Sequence, residues 1–258
     1  MARVPLAVTT SGNPRAAELA RARAASDRWK LPYLLRGRKE PLHGLVATGA
    51  EALLVFERER VTLADGEQSI AFHEGMAHLR RLRLQTGEGD TMASIAGLQA
   101  GDAVLDCTLG LAQDAMVAAQ AVGAAGRVTG LEKSLALCVL AAEGLASFDL
   151  GPASARVEVL HADAAVLLRD LASGSYDAVL LDPMFESPRR SQPAFEMLRR
   201  FAEHAPLTAE VLAQARRVAR RCVVVKGARA SKDLAKLGLT PHPGSRHSSM
   251  IWARVPAL

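Results

Sequence analysis

The stretch Ala103-Val104-Leu105-Asp106-Cys107-Thr108-Leu109-Gly110-Leu111-Ala112-Gln113-Asp114 decides how the chain is read. An apolar run of strand length ends in a turn of small residues and opens directly into an Ala-rich helical stretch. In a parallel sheet such a turn lies at the carboxyl end of the strand, where the first N–H groups of the helix face a ligand. Glycine and alanine in the turn remove side chains that would block a nucleoside. The run is not the GxGxxG pattern of dinucleotide binders, because only Gly110 is a glycine and a pyrophosphate would lack its close backbone contact.

Working outward, short β-like runs alternate with Ala-rich helical stretches from about residue 100 onward, the pattern of a parallel sheet with crossover helices. The predicted strands are Ala103-Cys107, Val128-Leu131, Arg156-Leu160, Ala178-Leu181 and Cys222-Val225, with helices near 112–121, 133–147, 163–172, 194–203 and 207–219. Leu237-Thr240 and Ser249-Val255 are expected to close the sheet as a hairpin around Pro241-His242-Pro243-Gly244. The expectation is an α/β protein with a Rossmann-like, seven-stranded class I methyltransferase sheet over residues 91–258. Residues 1–90 read as a small N-terminal α/β subdomain: a strand at Leu6-Thr10, a helix capped by Asn13-Pro14, and strands at Ala52-Glu57 and Arg60-Leu63. Gly87-Glu88-Gly89-Asp90 is the predicted boundary.

Composition bounds the function class. A chain of 258 residues, 49% of them hydrophobic, can bury one good-sized core without disulfide or metal staples. No apolar run reaches the roughly 20 residues of a membrane span, and the N-terminus lacks a signal-peptide layout, so a cytoplasmic protein is expected. Cys107, Cys138 and Cys222 are widely separated in apolar segments, which fits reduced core thiols and no metal. The formal charge of +5 comes with grouped arginines such as Arg80-Arg81-Leu82-Arg83, Arg189-Arg190, Arg216-Arg217 and Arg220-Arg221. A polyanionic partner is favoured only if these groups converge on one face.

Acids recur at successive strand ends. Glu132, 22 residues beyond Gly110, stands where a carboxylate accepts ribose hydroxyls, and Asp163 follows the next strand, placed to receive an adenine amine. Each acid alone is an ordinary helix N-cap; their repetition points to a nucleoside. A nucleoside with a methionine tail and no phosphate suits the narrow turn, so S-adenosylmethionine is the expected cofactor, with Asp106, Thr108, Gly110, Asp114, Glu132, Lys133, Asp163 and Asp182 as its candidate contacts.

The fourth strand ends in Leu181-Asp182-Pro183-Met184-Phe185, beside the sheet's switch point. An exocyclic amine on a nucleobase is a poor nucleophile because its lone pair is delocalised into the ring. The Asp182 carboxylate and the Pro183 carbonyl supply acceptors that turn the nitrogen toward a methyl donor, and Phe185 offers a stacking face. Asp182, Pro183 and Phe185 are therefore the candidate catalytic residues. Met184, Arg189, Arg190 and Lys226 are candidate substrate contacts, Lys226 holding a phosphate or pairing with an acid.

The run DCTLGLAQDA, the acid in GLEKS, the DPMF turn and Val223-Val224-Val225-Lys226 together resemble the bacterial small-subunit rRNA guanine-N2 methyltransferases of the J type, over roughly residues 70–255. The resemblance implies S-adenosylmethionine as cofactor and methylation of a guanine amine in 16S rRNA, with rRNA or the small ribosomal subunit as partner. Asp106, Gly110, Glu132, Asp163 and Asp182 fall on family positions. Glu186-Ser187-Pro188 departs from the family's Pro-His-Lys, and Thr9-Thr10-Ser11-Gly12 is more similar to a Gram-positive branch, so the substrate can differ.

Other signals are set aside. His73 and His78 are five apart, not the four of a zinc-binding helix, and the segment Phe72–Arg83 reads as one apolar side with His78, Arg80, Arg81 and Arg83 facing solvent or RNA. No GxSxG elbow supports a hydrolase built on Ser245, His247 and Asp182. Two other functions stay open: methyl transfer to a small molecule or protein, and a non-catalytic RNA-binding module that kept the fold.

Overall fold

The computed structural model describes residues 4–183, 193–202, 206–229, 232–242 and 249–258. In chain order the elements are β1 (Val4–Thr10), α1 (Ala16–Trp29), α2 (Leu42–Thr48), β2 (Ala50–Phe56), β3 (Val61–Ala64), β4 (Ser69–Ala71), α3 (Ala77–Gln85), α4 (Thr91–Ala96), β5 (Ala103–Asp106), α5 (Gln113–Val122), β6 (Arg127–Glu132), α6 (Leu135–Ala146), β7 (Val157–His161), α7 (Ala164–Asp170), β8 (Tyr176–Leu181), α8 (Pro193–Phe201), α9 (Ala209–Val218), β9 (Ala219–Ala228), α10 (Asp233–Lys236) and β10 (Met250–Pro256). Contacts divide the chain into two units.

The larger unit comprises Glu74–Ser134, Leu150–Arg190 and Ala202–Leu258. Its sheet runs β10-β9-β8-β5-β6-β7, every pair parallel except β9 with β10. A parallel strand covered on both faces has no solvent side to mark with polar residues, and all four residues of β5 are buried. Leu105, Leu131, Val179, Leu181, Val223 and Val225 form the centre of its core, with Leu168 of α7 and Leu212, Ala215 and Val218 of α9 packed among them. The strand order reverses between β5 and β8, which opens the crevice at their carboxyl ends. Asp90 caps α4 by accepting from Ala93 N at 3.1 Å, and α5 stops at Gly123, whose φ of 68° an L side chain resists.

The smaller unit comprises Met1–His73, Leu135–Asp149 and Ser191–Phe201. Its sheet is β1-β2-β3-β4, with β1 parallel to β2 and the rest antiparallel. Ala7, Leu45, Val46, Leu53 and Val55 form one core cluster. The apolar helix α6 belongs here, tied by Trp29 Nε1 donating to Glu143 at 2.7 Å. A side chain on Gly144 would collide with the Phe72 ring, 2.1 Å from the nearest carbon, so this crossing requires glycine.

Several expectations are corrected. Leu237-Thr240 forms no strand, so the sheet has six strands among the described residues, while the doubly wound α/β class stands. Helix α1 begins after Arg15, with no side-chain cap from Asn13. The contact division falls after His73 rather than at Asp90, and the smaller unit regains chain at residues 135–149, which a linear boundary cannot express. No helix among the described residues is long and apolar enough to cross a membrane.

Candidate methyltransferase site at the carboxyl edge of the six-stranded sheet

The turn after β5 is shaped by two left-handed residues. Gly110 has φ 52° and open space where a Cβ would stand, and Ala112 has φ 60°. A non-glycine residue in that region costs on the order of 1 kcal/mol, and such strain gathers at ligand sites. The turn is held from the next strand: Glu132 Oε2 accepts from Gly110 N at 2.9 Å and Oε1 from Ser134 N at 2.8 Å. Each carboxylate oxygen keeps a second lone pair for a ligand hydroxyl. Burial raises the Glu132 pKa against these N–H bonds. Asp163 caps α7 by accepting from Ala165 N at 2.8 Å and pairs with Lys133 at 3.2 Å.

The ends of β5 and β8 are stitched by one hydroxyl. Thr108 Oγ1 accepts from Asp182 N at 2.6 Å and lies 3.5 Å from Asp106 Oδ1, which also accepts from Thr108 N at 3.0 Å. Asp106 is fully enclosed, and burial, with the nearby Asp114 charge, pushes its pKa up to about 7.

From there a line of alternating charges crosses the site. Asp182 Oδ2 accepts from Lys226 Nζ at 2.7 Å, and Lys226 also reaches Asp114 Oδ2 at 2.9 Å. The other oxygen of Asp114 accepts from Arg80 Nη1, and Arg80 completes the line with two bonds to Asp90, at 2.8 and 3.1 Å. Burial raises the Asp182 pKa; Lys226 pulls it down and the Asp114 charge adds to the rise, and the net shift is upward. For Asp114 burial also raises, but Lys226 and Arg80 outweigh it and hold the carboxyl low. Burial lowers Lys226, yet its two carboxylates leave it more basic than usual. The half-buried Trp252 ring packs beside this line, 5.3 Å from Lys226 Nζ and 5.9 Å from the Arg80 guanidinium carbon.

The structure therefore brings together Asp106, Thr108, Gly110, Asp114, Glu132, Asp182 and Lys226, with Pro183 buried beside them. Of the two roles open to Lys226, it pairs with acids. Met184, Phe185, Arg189 and Arg190 lie outside the described residues. Two expectations for α3 are corrected. Arg80 is committed to Asp90 and Asp114, and Arg81 is buried, donating to Glu74 and to the Leu150 carbonyl. Of the other arginines in this unit, Arg217 and Arg220 are held by carbonyls of 168–175 and by Asp177 at the opposite edge of the sheet. Arg80, Asp90 and Trp252 were missed. Trp252 had a signal, since it is the cross-strand partner of Lys226 once β10 pairs with β9.

A parallel 3-2-1-4-5 order closed by one antiparallel strand, with acids at successive carboxyl ends, defines a class I methyltransferase fold. The family described as "Putative SAM-dependent methyltransferase" matches residues 39–243, and the chain belongs to it. S-adenosylmethionine is accordingly its cofactor, and the open cradle at Gly110 and the doubly accepting Glu132 fit a nucleoside with hydroxyls to donate. The uncharacterised protein YpiP of Bacillus subtilis is 36% identical over 225 residues, 85% of this chain and 87% of that protein. Ribosomal RNA small subunit methyltransferase J of Laribacter hongkongensis is 36% identical over 170 residues, 62% of this chain and 59% of that enzyme. Both bear out the resemblance drawn from DCTLGLAQDA and DPMF, and the Bacillus relative agrees with a Gram-positive branch. The solved structure of TrmN from Thermus thermophilus is similar at 16% identity and a TM-score of 0.43, over 99% of this chain and 72% of that one.

Proposed function

We propose that this methyltransferase modifies the exocyclic amine of a guanine in ribosomal RNA, with Asp182 as the acceptor-binding carboxylate. The observation that carries the reading is the state of that carboxylate. Lys226 takes Oδ2, while among the described residues no hydrogen bond reaches Oδ1. An amine N–H can therefore be received there in a fixed direction. The names of the J-type relatives supply the rRNA substrate class.

When bound, S-adenosylmethionine supplies an electrophilic methyl group on a cationic sulfonium. Gly110, Glu132 and Asp163 stand to seat its nucleoside, with Lys133 holding Asp163 in place. Asp182 accepts one N–H of the amine and turns the nitrogen lone pair toward the methyl group, and the Pro183 carbonyl takes the other. Methyl transfer to the amine would place positive charge on its nitrogen. The carboxylates Asp182 and Asp114 stabilise it electrostatically. Asp182, with its pKa raised by burial, then takes the proton that nitrogen sheds. Met184, Phe185, Arg189 and Arg190, next along the chain, are assigned to the base and its phosphates.

Transfer of labelled methyl groups from S-adenosylmethionine to 16S rRNA and 30S subunits, taken from a strain lacking this gene, tests the reading. Label mapped to a guanine amine and lost in Asp182→Ala supports it. Cofactor binding without RNA labelling overturns the RNA substrate and directs the search to small molecules and proteins.

A further inference from the structure

The geometry points to Arg80 and Asp114 as positioning residues that act through Lys226 on the Asp182 carboxylate. This rests on the reading of Asp182 as the acceptor-binding group, but its test needs no acceptor.

Asp114 offers one oxygen to each cation, Oδ1 to Arg80 and Oδ2 to Lys226. Lys226 is shared in turn between Asp114 at 2.9 Å and Asp182 at 2.7 Å. Asp114 is only 11% exposed and Lys226 18%, so water cannot replace a lost partner cheaply. The far end is pinned by Asp90, 6% exposed, whose Oδ1 also holds the first turn of α4. A buried acid with two cations needs each of them less than an acid with one. Removing Arg80 leaves Lys226 as the sole cation for Asp114 and draws the ammonium away from Asp182. Neutralising Asp114 does the opposite, releasing Lys226 to serve Asp182 alone. The two changes therefore move Asp182 in opposite directions, although both break the same Arg80–Asp114 contact. Direct fields from Arg80 and Asp114 carry the same signs, so the relay is marked by the dependence of the Arg80 effect on Lys226.

Among the described residues the charged groups bearing on Asp182 are Lys226 of β9, Asp114 of α5, Arg80 of α3 and, through Thr108, Asp106 of β5. The position is distinctive because α3 lies outside the strand-end turns that carry the other site residues. Arg80 reaches the chemistry only because α3 packs on α5, where Gln85 and Gln120 also bond at 3.1 Å.

The experiment is a carbon-13 NMR titration of carboxyl-labelled aspartate in the whole chain, with Asp182 identified by its loss in Asp182→Asn. We expect the Asp182 midpoint to rise by about one pH unit in Arg80→Met and to fall by a similar amount in Asp114→Asn. In a Lys226→Met background the Arg80→Met shift should shrink to a small fraction, because the intermediary is gone. Shifts of the same sign, no shift, or full additivity with Lys226→Met would each overturn the inference. Should Arg80→Met fail to fold, Arg80→Lys replaces it. One ammonium cannot reproduce the forked contacts to Asp90 and Asp114, so the same upward shift is expected at smaller size. Absence of rRNA methylation alongside the expected shifts would count against the substrate and leave the relay standing.

Discussion

The two edges of the six-stranded sheet are both crowded with acids and bases, yet they use them in opposite ways. At the amino edge, Arg221 grips Asp102 with both terminal nitrogens, Arg220 pairs with Asp177 at 2.8 Å, and Arg217 and Arg220 also donate to carbonyls of 168–175. Asp177 also accepts from Ala103 N at 2.8 Å, and these N–H and guanidinium partners, outweighing its burial, lower its pKa. Asp177 and Arg221 are both shifted toward their charged forms by their partners. At the carboxyl edge Asp90, Asp114 and Asp182 share the cations Arg80 and Lys226, with Asp106 enclosed beside them, and Asp106 and Asp182 are pushed upward. The amino edge closes the sheet. Among the described residues the line of charges at the carboxyl edge sets three carboxylates, Asp90, Asp114 and Asp182, against two cations away from water, a cost that folding alone gives no reason to bear and that a cationic ligand relieves.

That contrast can be broken in several places. The largest effect belongs to Asp182→Ala, which should lower methyl transfer by about 10³-fold, the scale of a positioned acid–base group. Single-turnover rates on the accepted RNA check it, and a loss below tenfold would remove Asp182 from the chemistry. Next is Asp106→Asn. The folded chain keeps Asp106 protonated to about pH 7, whereas the unfolded side chain ionises near 4, so the folded state binds the extra proton between those values and stability falls as pH rises through that window. A folded value of about 7 against about 4 unfolded bounds the effect at about 4 kcal/mol. Melting temperatures at pH 5 and pH 8 should show the variant gaining on the natural chain at the higher pH; a gap independent of pH would refute the assignment.

A smaller effect is expected of Glu132→Gln, which turns an NH2 toward the Gly110 or the Ser134 N–H. Cofactor affinity should weaken by about 10–100-fold, the worth of hydrogen bonds to a charged group, as measured by calorimetry with S-adenosylmethionine. Unchanged affinity would make Glu132 a local brace for the turn and nothing more. The smallest belongs to the amino edge. Arg221→Ala should cost about 1 kcal/mol of stability in denaturant unfolding and leave the transfer rate within twofold. A large rate loss there would erase the division of labour between the edges.

Much of this was legible in the chain because the information is local. The runs Val128-Leu131, Ala178-Leu181 and Cys222-Val225 lie within the observed strands because a buried parallel strand must be apolar on both faces, and that needs no knowledge of its neighbours. The turn at Gly110 and the acids Glu132, Asp163 and Asp182 were legible as positions for the same reason, standing at or within a few residues of the carboxyl ends of recognisable strands. Leu237-Thr240 read as a strand by propensity alone and is not one, since a short apolar run becomes a strand only when an edge accepts it.

What the sequence determined by itself, then, is the alternation of strands and helices through the main sheet, the small-residue turn after β5 and the acids at the strand ends. Tertiary structure alone decided the rest: that Arg80, written among three arginines that looked solvated, turns inward to Asp90 and Asp114; that Lys226 bridges two carboxylates instead of holding a phosphate; and that Trp252 stands beside them. Local pattern reports burial and backbone preference, both short-ranged. An ion pair between residues 34 or 112 positions apart depends on which helix packs on which and on strand register, and no window of sequence contains either partner's environment.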